Sequence, residues 1–205
     1  TCRLLQVEGQ ILPISYDDVR LVAHYEDGSK VTGEHLIDEP QHDGTLKITH
    51  LETQPQAELN PTAKKALLEA DLIIMGPGDF YTNTIANLVI KDVKATLQTT
   101  QAKILFITNL MTTYGETYNY TQRDFFTDLE KYLPLELLDF ILLNNNDDYP
   151  QAALELYQAE QAKPIIDNLR QQDVAKTTKL LRTDVLSRVI PQQEASDKIK
   201  RSMIR

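Results

Sequence analysis

The sequence predicts an α/β protein, a mostly parallel sheet flanked by helices with a β-hairpin appended near its start. Three observations carry that expectation. Three short apolar runs, Asp71–Met75, Ala102–Thr108 and Leu138–Leu143, have the length and composition of strands covered on both faces. Helical stretches, Thr84–Thr99 and Thr121–Tyr132, separate them, and strand–helix–strand alternation with right-handed crossovers makes a parallel sheet. Upstream, Val19–Tyr25 alternates apolar and polar residues, and Asp27-Gly28 leads into Ser29–Gly33. That pattern predicts a hairpin over about residues 19–33 with a type I′ turn, because Gly accepts a positive φ.

The other elements follow in order. Leu4–Val7 and Gln10–Ile14 are short apolar segments joined by the turn signal Glu8-Gly9. His35–Gly44 reads as a loop and Leu46–Thr53 as a strand. Pro61–Ala70 is a helix with proline at its start, where a missing N–H costs little. Pro150–Gln161 is helical, Lys163–Ile166 and Thr178–Thr183 are weaker strand candidates, and Gln193–Met203 is a closing helix. No repeat or linker divides the chain, so residues 1–205 are expected to form one α/β domain.

Composition bounds the function. Of 205 residues, 41% are hydrophobic and 25% charged, ordinary for a globular protein. The net charge of -9 argues against nonspecific binding to nucleic acid or anionic membrane. A single cysteine, Cys2, allows no intrachain disulfide and fits a cytoplasmic protein. No stretch approaches the roughly 20 apolar residues of a membrane helix. The chain begins with Thr1 in a strand-like segment and ends in a basic helical run without a cap, so both ends read as cut.

Ligands of open parallel sheets bind beyond the carboxyl ends of the strands. The first strand end is Gly76-Pro77-Gly78-Asp79-Phe80-Tyr81-Thr82-Asn83. Its glycines let backbone approach a ligand, and unpaired N–H groups at the following helix start would attract a phosphate or carboxylate. Asp79 has three open readings: a helix cap, a partner for a hydroxyl, or a metal ligand. The second is Asn109-Leu110-Met111-Thr112-Thr113-Tyr114-Gly115-Glu116-Thr117. Asn109 offers an amide, and Gly115-Glu116-Thr117 reads as a tight turn displaying a carboxylate. Tyr114, Tyr118 and Tyr120 form either an aromatic wall for a ring or ordinary packing. The third is Asn144-Asn145-Asn146. The four histidines have no zinc spacing, and no nucleophile elbow is present.

The runs VEGQILPISYDDVRLVAHYEDGSKVTGE, ADLIIMGPGDFYTNTIANLVI and NLMTTYGETYNYTQRDF resemble the CofD-like family. One branch is called the gluconeogenesis factor and the other is 2-phospho-L-lactate transferase. The resemblance implies a Rossmann-like fold. It also implies a preceding portion with a Gly-rich nucleotide loop and a following Arg-His-Asp stretch. NLMTTYGET and GPGDFYT look like the regulator branch, whose members are regarded as binding UDP-sugars and affecting carbon use and cell shape. The alternative is a transferase moving a phospholactyl group from a nucleotide diphosphate carrier to a deazaflavin alcohol. The resemblance implies ligand contacts from Gly76, Pro77, Gly78, Asp79, Tyr81, Thr82, Asn109, Gly115, Glu116 and Thr117. The regulator reading requires no cofactor, whereas the transferase reading brings Mg²⁺, with Asp79 as its candidate ligand. Many relatives carry Ser at Asp79, so its extra negative charge favours a hydroxyl or metal over direct phosphate contact. A homo-oligomer is expected, because an incomplete sheet leaves an apolar edge.

Overall fold

A computed structural model describes residues 9–187. The segments Leu4–Val7 and Gln193–Met203 lie outside or beyond that range. Two sheets organise it. The first is antiparallel, in the order β2-β1-β3, from β1 (Arg20–Tyr25), β2 (Lys30–Thr32) and β3 (Ile48–Gln54). The second is parallel, in the order β4-β5-β6-β7, from β4 (Leu72–Met75), β5 (Lys103–Ile107), β6 (Phe140–Asn144) and β7 (Lys179–Thr183). The expected parallel α/β sheet is therefore present, and the Thr178–Thr183 candidate is its fourth strand.

The hairpin forms, with Val22 opposite Thr32 and His24 opposite Lys30. Its turn differs from type I′. Gly28 N–H donates to the Tyr25 carbonyl at 3.0 Å, and Tyr25 N–H to the Ser29 carbonyl at 2.9 Å. Gly28 has φ 85°, while Asp27 is not among the positive-φ residues. The loop is thus three residues long, a type I turn followed by a left-handed glycine. Nor is the hairpin a lone appendage, since β3 pairs along β1 from Arg20↔Gln54 to Tyr25↔Ile48.

The helices are shorter than the apolar periodicity predicts. They are α1 (Glu34–Asp38), α2 (Pro61–Glu69), α3 (Ala86–Leu88), α4 (Val93–Thr99), α5 (Gln122–Leu129) and α6 (Gln151–Ala159). Part of the expected loop His35–Gly44 is thus the helix α1. The expected helix Thr84–Thr99 is broken. It begins as a π-helical turn, Phe80–Ile85, runs into α3, and stops before Asp92, which has φ 71°. Lys91 explains the break: its N–H donates to the Ala57 carbonyl and its ammonium pairs with Glu58 at 2.8 Å. Gln10–Ile14 is irregular rather than extended in a sheet. Lys163–Ile166 makes one bridge, Met111↔Pro164, and no strand.

One core joins the two sheets. Ala23, Tyr25, Ile48 and Leu51 of the antiparallel sheet belong to the same buried cluster as Ile104, Phe106, Ile141 and Leu143. Those last four share one face of the parallel sheet, by register. The opposite face is open. Leu72, Ile74 and Leu181 are 49%, 55% and 42% exposed, and Leu105, Phe140 and Leu142 between them are half-buried. The expectation that these strands are covered on both faces therefore fails among the described residues. With strand order running steadily from β4 to β7, same-handed crossovers place their helices on one side of the sheet.

Candidate functional site at the carboxyl edge of the parallel sheet

The strands β4, β5 and β6 end side by side at one edge, so the three polar segments read from the sequence meet there. After β4 the chain turns sharply at Gly76, which has φ 72° and a cis bond to Pro77. A Cβ at Gly76 would lie 2.7 Å from the Ile107 carbonyl oxygen, so glycine permits this close approach to β5. Asn109 reaches across from β5 and donates from Nδ2 to the Gly78 carbonyl at 2.8 Å. Its own carbonyl accepts from Gln122 Nε2 at 3.2 Å. The first two loops are thus bonded to each other, and Gly76, Gly78, Asp79 and Asn109 are half-buried around an exposed Pro77.

Asp79 ends the loop as the cap residue of the π-helical turn. Its carbonyl accepts from the N–H groups of Asn83 and Thr84 at 3.1 and 3.0 Å. Its carboxylate accepts from Asn83 Nδ2 at 2.8 Å. No group of three or more His, Cys, Asp or Glu side chains assembles as a metal cage among the described residues. Asp79 is the carboxylate of this loop that would hold a Mg²⁺ ion, and the ion would supply charge neutralisation for an anionic ligand.

Glu116 departs most from the sequence reading. The carboxylate is not on display: the residue is 1% exposed. Its Oε2 accepts from Tyr81 N–H at 2.7 Å, and its Oε1 accepts from Thr82 Oγ1 at 2.5 Å and Thr82 N–H at 3.4 Å. The N–H groups expected to await a phosphate at this helix start are therefore already paired by a side chain 35 residues downstream. Burial pushes the Glu116 carboxyl up to about 7, with the charges of Asp79 and Asp38 adding to the rise and the bonds from Thr82 and Tyr81 opposing it.

Tyr81, Thr82, Gly115 and Thr117 are likewise buried. The Tyr81 hydroxyl donates to Asp128 Oδ2 at 2.7 Å, deep in the core. The Tyr120 hydroxyl donates to the same oxygen, and Lys131 pairs with the other at 2.5 Å. Burial raises both phenols far above their ordinary range. Thr117 Oγ1 accepts from Thr113 N–H at 3.0 Å and closes the second loop. Gly115, φ 96°, lies flush on the 34–44 segment, where an added Cβ would meet Pro40 at 2.8 Å. Tyr114 and Tyr120 are packing residues: the ring of Tyr114 lies edge-on to Tyr118 and its hydroxyl accepts from Gly44 N–H at 3.1 Å.

The ten singled-out residues thus divide into an accessible rim of Gly76, Pro77, Gly78, Asp79 and Asn109 and a buried frame of Tyr81, Thr82, Gly115, Glu116 and Thr117. Sequence reasoning missed Asp128, which holds the frame from α5. Its i,i+3 spacing to Lys131 reads as a surface pair, and nothing local marks it as buried. Around the third strand end, Asn144, Asn145, Asp147 and Tyr149 line a cleft of about 530 Å³ with Leu154 and the 164–167 segment.

Comparisons with known proteins agree with this fold. The family model of 2-phospho-L-lactate transferase CofD matches residues 1–186. The Bacillus subtilis protein named gluconeogenesis factor is 35% identical over 163 residues, 80% of this chain and 50% of that protein. A Thermotoga maritima protein, also described as a gluconeogenesis factor, is 37% identical over 158 residues, 77% of this chain and 48% of that protein. A crystal structure of a UPF0052-family protein from Bacillus halodurans superimposes with a TM-score of 0.80 at 26% identity, covering 91% of this chain and 59% of that one. The chain spans about half the length of the curated relatives it matches. With a family model covering nearly all described residues and relatives above one-third identity, the chain belongs to the CofD family.

Proposed function

We propose that the carboxyl edge of β4 and β5 is part of a site for a nucleotide-linked small molecule, a UDP-sugar, in a cytoplasmic regulator of central carbon metabolism and cell shape. The observation that supports it most is the Asn109–Gly78 bond, which ties two strand-end loops into one rim, with Gly76, Gly78 and Asp79 half-buried around an exposed Pro77. Rigid, glycine-bearing loops at this edge are where parallel sheets take nucleotides. The names of the relatives from Bacillus subtilis and Thermotoga maritima support the regulator branch. In this reading Asp79 meets ligand hydroxyls, because its carboxylate repels a phosphate. The buried frame holds the rim in place and does not touch ligand.

The description of the family model favours a second reading, a phospholactyl transferase that uses Mg²⁺. Such chemistry needs positioning and charge neutralisation rather than a covalent nucleophile. Calorimetric titration of UDP-N-acetylglucosamine and of UDP, each with and without Mg²⁺, separates the two. Metal-independent, saturable binding that prefers the sugar nucleotide supports the regulator. Binding that needs Mg²⁺, together with Mg²⁺-dependent transfer of a phospholactyl group from a nucleotide diphosphate carrier to a deazaflavin alcohol in a parallel assay, replaces it with the transferase.

A further inference from the structure

The cleft at the carboxyl end of β6 has a wall whose bonds leave two polar side chains unspent. In the 144–149 loop, Asn144 Nδ2 donates to the Asn146 carbonyl at 2.6 Å, and its Oδ1 accepts from the Val185 N–H at 3.3 Å. Asn146 Oδ1 accepts from the Asp148 N–H at 2.8 Å, and its Nδ2 donates to Asp184 Oδ2 at 2.9 Å. The Tyr149 hydroxyl accepts from Asn144 Nδ2 at 3.3 Å. Among the described residues, the side chains of Asn145 and Asp147 make no hydrogen bond, and both line the cleft. The loop thus holds its own shape with its other polar groups and presents these two.

The facing wall is aliphatic, built from Ile165 and the largely exposed Ile166 with Leu154 beside them. Its backbone continues into the rim. Ile165 N–H donates to the Leu110 carbonyl at 3.0 Å, Gln122 N–H to the Ile166 carbonyl at 3.0 Å, and Gln122 Nε2 to the Asn109 carbonyl at 3.2 Å. Rim and cleft are therefore joined by hydrogen bonds, and adjacent parallel strands place them roughly 10 Å apart along the edge.

Charge and hydrogen-bonding capacity select what the cleft takes. Among the described residues no Lys or Arg lines it. The Asp167 carboxylate is engaged by Arg182 at 2.6 Å, whereas that of Asp147 has no cationic partner among those residues. An anionic group is repelled there. A carboxylate only accepts, while an amide both donates and accepts, so the two free side chains match hydroxyl groups. The cleft volume of about 530 Å³ accommodates a ring of that kind, with its C–H face on the isoleucines.

We propose that this cleft is the sugar subsite of the carboxyl-edge site: it receives an uncharged, hydroxyl-bearing ring, bonded by Asn145 and Asp147, while the rim at Gly76–Asp79 receives the nucleoside end. The inference rests on the nucleotide-sugar reading of the rim and assigns the orientation of the ligand across it. Asp79 then meets the ribose hydroxyls.

Parallel calorimetric titrations of UDP-N-acetylglucosamine and of UDP into the intact chain and its Asp147→Ala variant test it. Asp147 is exposed and bonds nothing among the described residues, so the variant is expected to melt with the parent. Asp147→Ala is expected to weaken UDP-N-acetylglucosamine by about tenfold and to leave UDP unchanged. Unchanged affinity for the sugar nucleotide would overturn the proposal, and so would an equal loss for UDP, which would put the nucleotide in the cleft. If the parent binds neither nucleotide, the rim reading fails on its own. N-acetylglucosamine alone, titrated into the millimolar range and followed by backbone amide shifts, then decides the cleft. Saturable shifts at Asn145 and Asp147 that are lost in Asn145→Ala support it, and their absence overturns it.

Discussion

Glu116 shows how a single side chain sets the character of the site. Its carboxylate satisfies the Tyr81 N–H and the Thr82 hydroxyl, which otherwise would be buried without partners. Glu116→Ala is therefore expected to destabilise the fold by about 2–4 kcal/mol, a loss readable as a lower denaturant midpoint. The pH dependence follows from the raised carboxyl. Its folded value, about 7, lies above its ordinary 4.5, so the folded state favours the proton. This group's contribution is fully present below pH 4.5 and is lost as pH rises through about 7. Glu116→Gln, in which the amide oxygen accepts from Tyr81 and the amide N–H₂ donates to Thr82, is expected to flatten that part of the profile. Denaturant midpoints at pH 5 and pH 8 measure both effects, and an equally steep profile in Glu116→Gln contradicts the assignment. The identity of this residue as a site element was legible from its place after a strand. Its burial was not, because the partners that bury it come from a segment 35 residues away.

Among the elements, what could be read locally was read well. The strands β4, β5 and β6 announce themselves as unbroken apolar runs, and Thr121 does stand as the cap residue of α5, its N–H donating to Asp124 at 2.8 Å. Gly28 takes the positive φ expected of it, although the turn around it is a residue longer. The π-helical turn was not legible. It exists because Glu116 takes its leading N–H groups and because Asp128 pins the Tyr81 hydroxyl from α5. Asp128 thereby couples that turn to the helix, and Tyr120 binds the same oxygen. Asp128→Ala removes the shared acceptor of two buried phenolic hydroxyls, leaving Tyr81 its bond to the Ile48 carbonyl at 3.1 Å and the two hydroxyls each other at 3.3 Å, at an expected loss of about 1–3 kcal/mol. Thermal or denaturant unfolding of this variant checks it, and a loss within about 0.5 kcal/mol, the range of ordinary surface substitutions, contradicts the network's role.

At the scale of the molecule, the antiparallel sheet and one face of the parallel sheet share a core, while the other face of β4–β7 is open among the described residues. The sequence could not reveal this, since a run such as DLIIM looks the same whether one or both faces are covered. Exposed Leu72, Ile74 and Leu181 favour burial against a second copy of the chain. We therefore expect concentration-dependent self-association by light scattering, reduced by Ile74→Lys. A monodisperse monomer at high concentration contradicts it.

The central claim is that the rim Gly76–Asp79 with Asn109 receives a nucleotide-linked ligand while the frame around Glu116 only supports it. Calorimetric titration of UDP-N-acetylglucosamine into the protein and its Asp79→Ala variant tests this most directly. Asp79 is half-buried at the rim and its carboxylate bonds, among the described residues, a neighbouring surface amide, Asn83, so its removal spares the fold. The account predicts saturable binding that Asp79→Ala weakens at least about tenfold at unchanged thermal stability, the worth of a hydrogen bond to a charged group. Equal affinity in the two proteins would place the ligand elsewhere and contradict the claim.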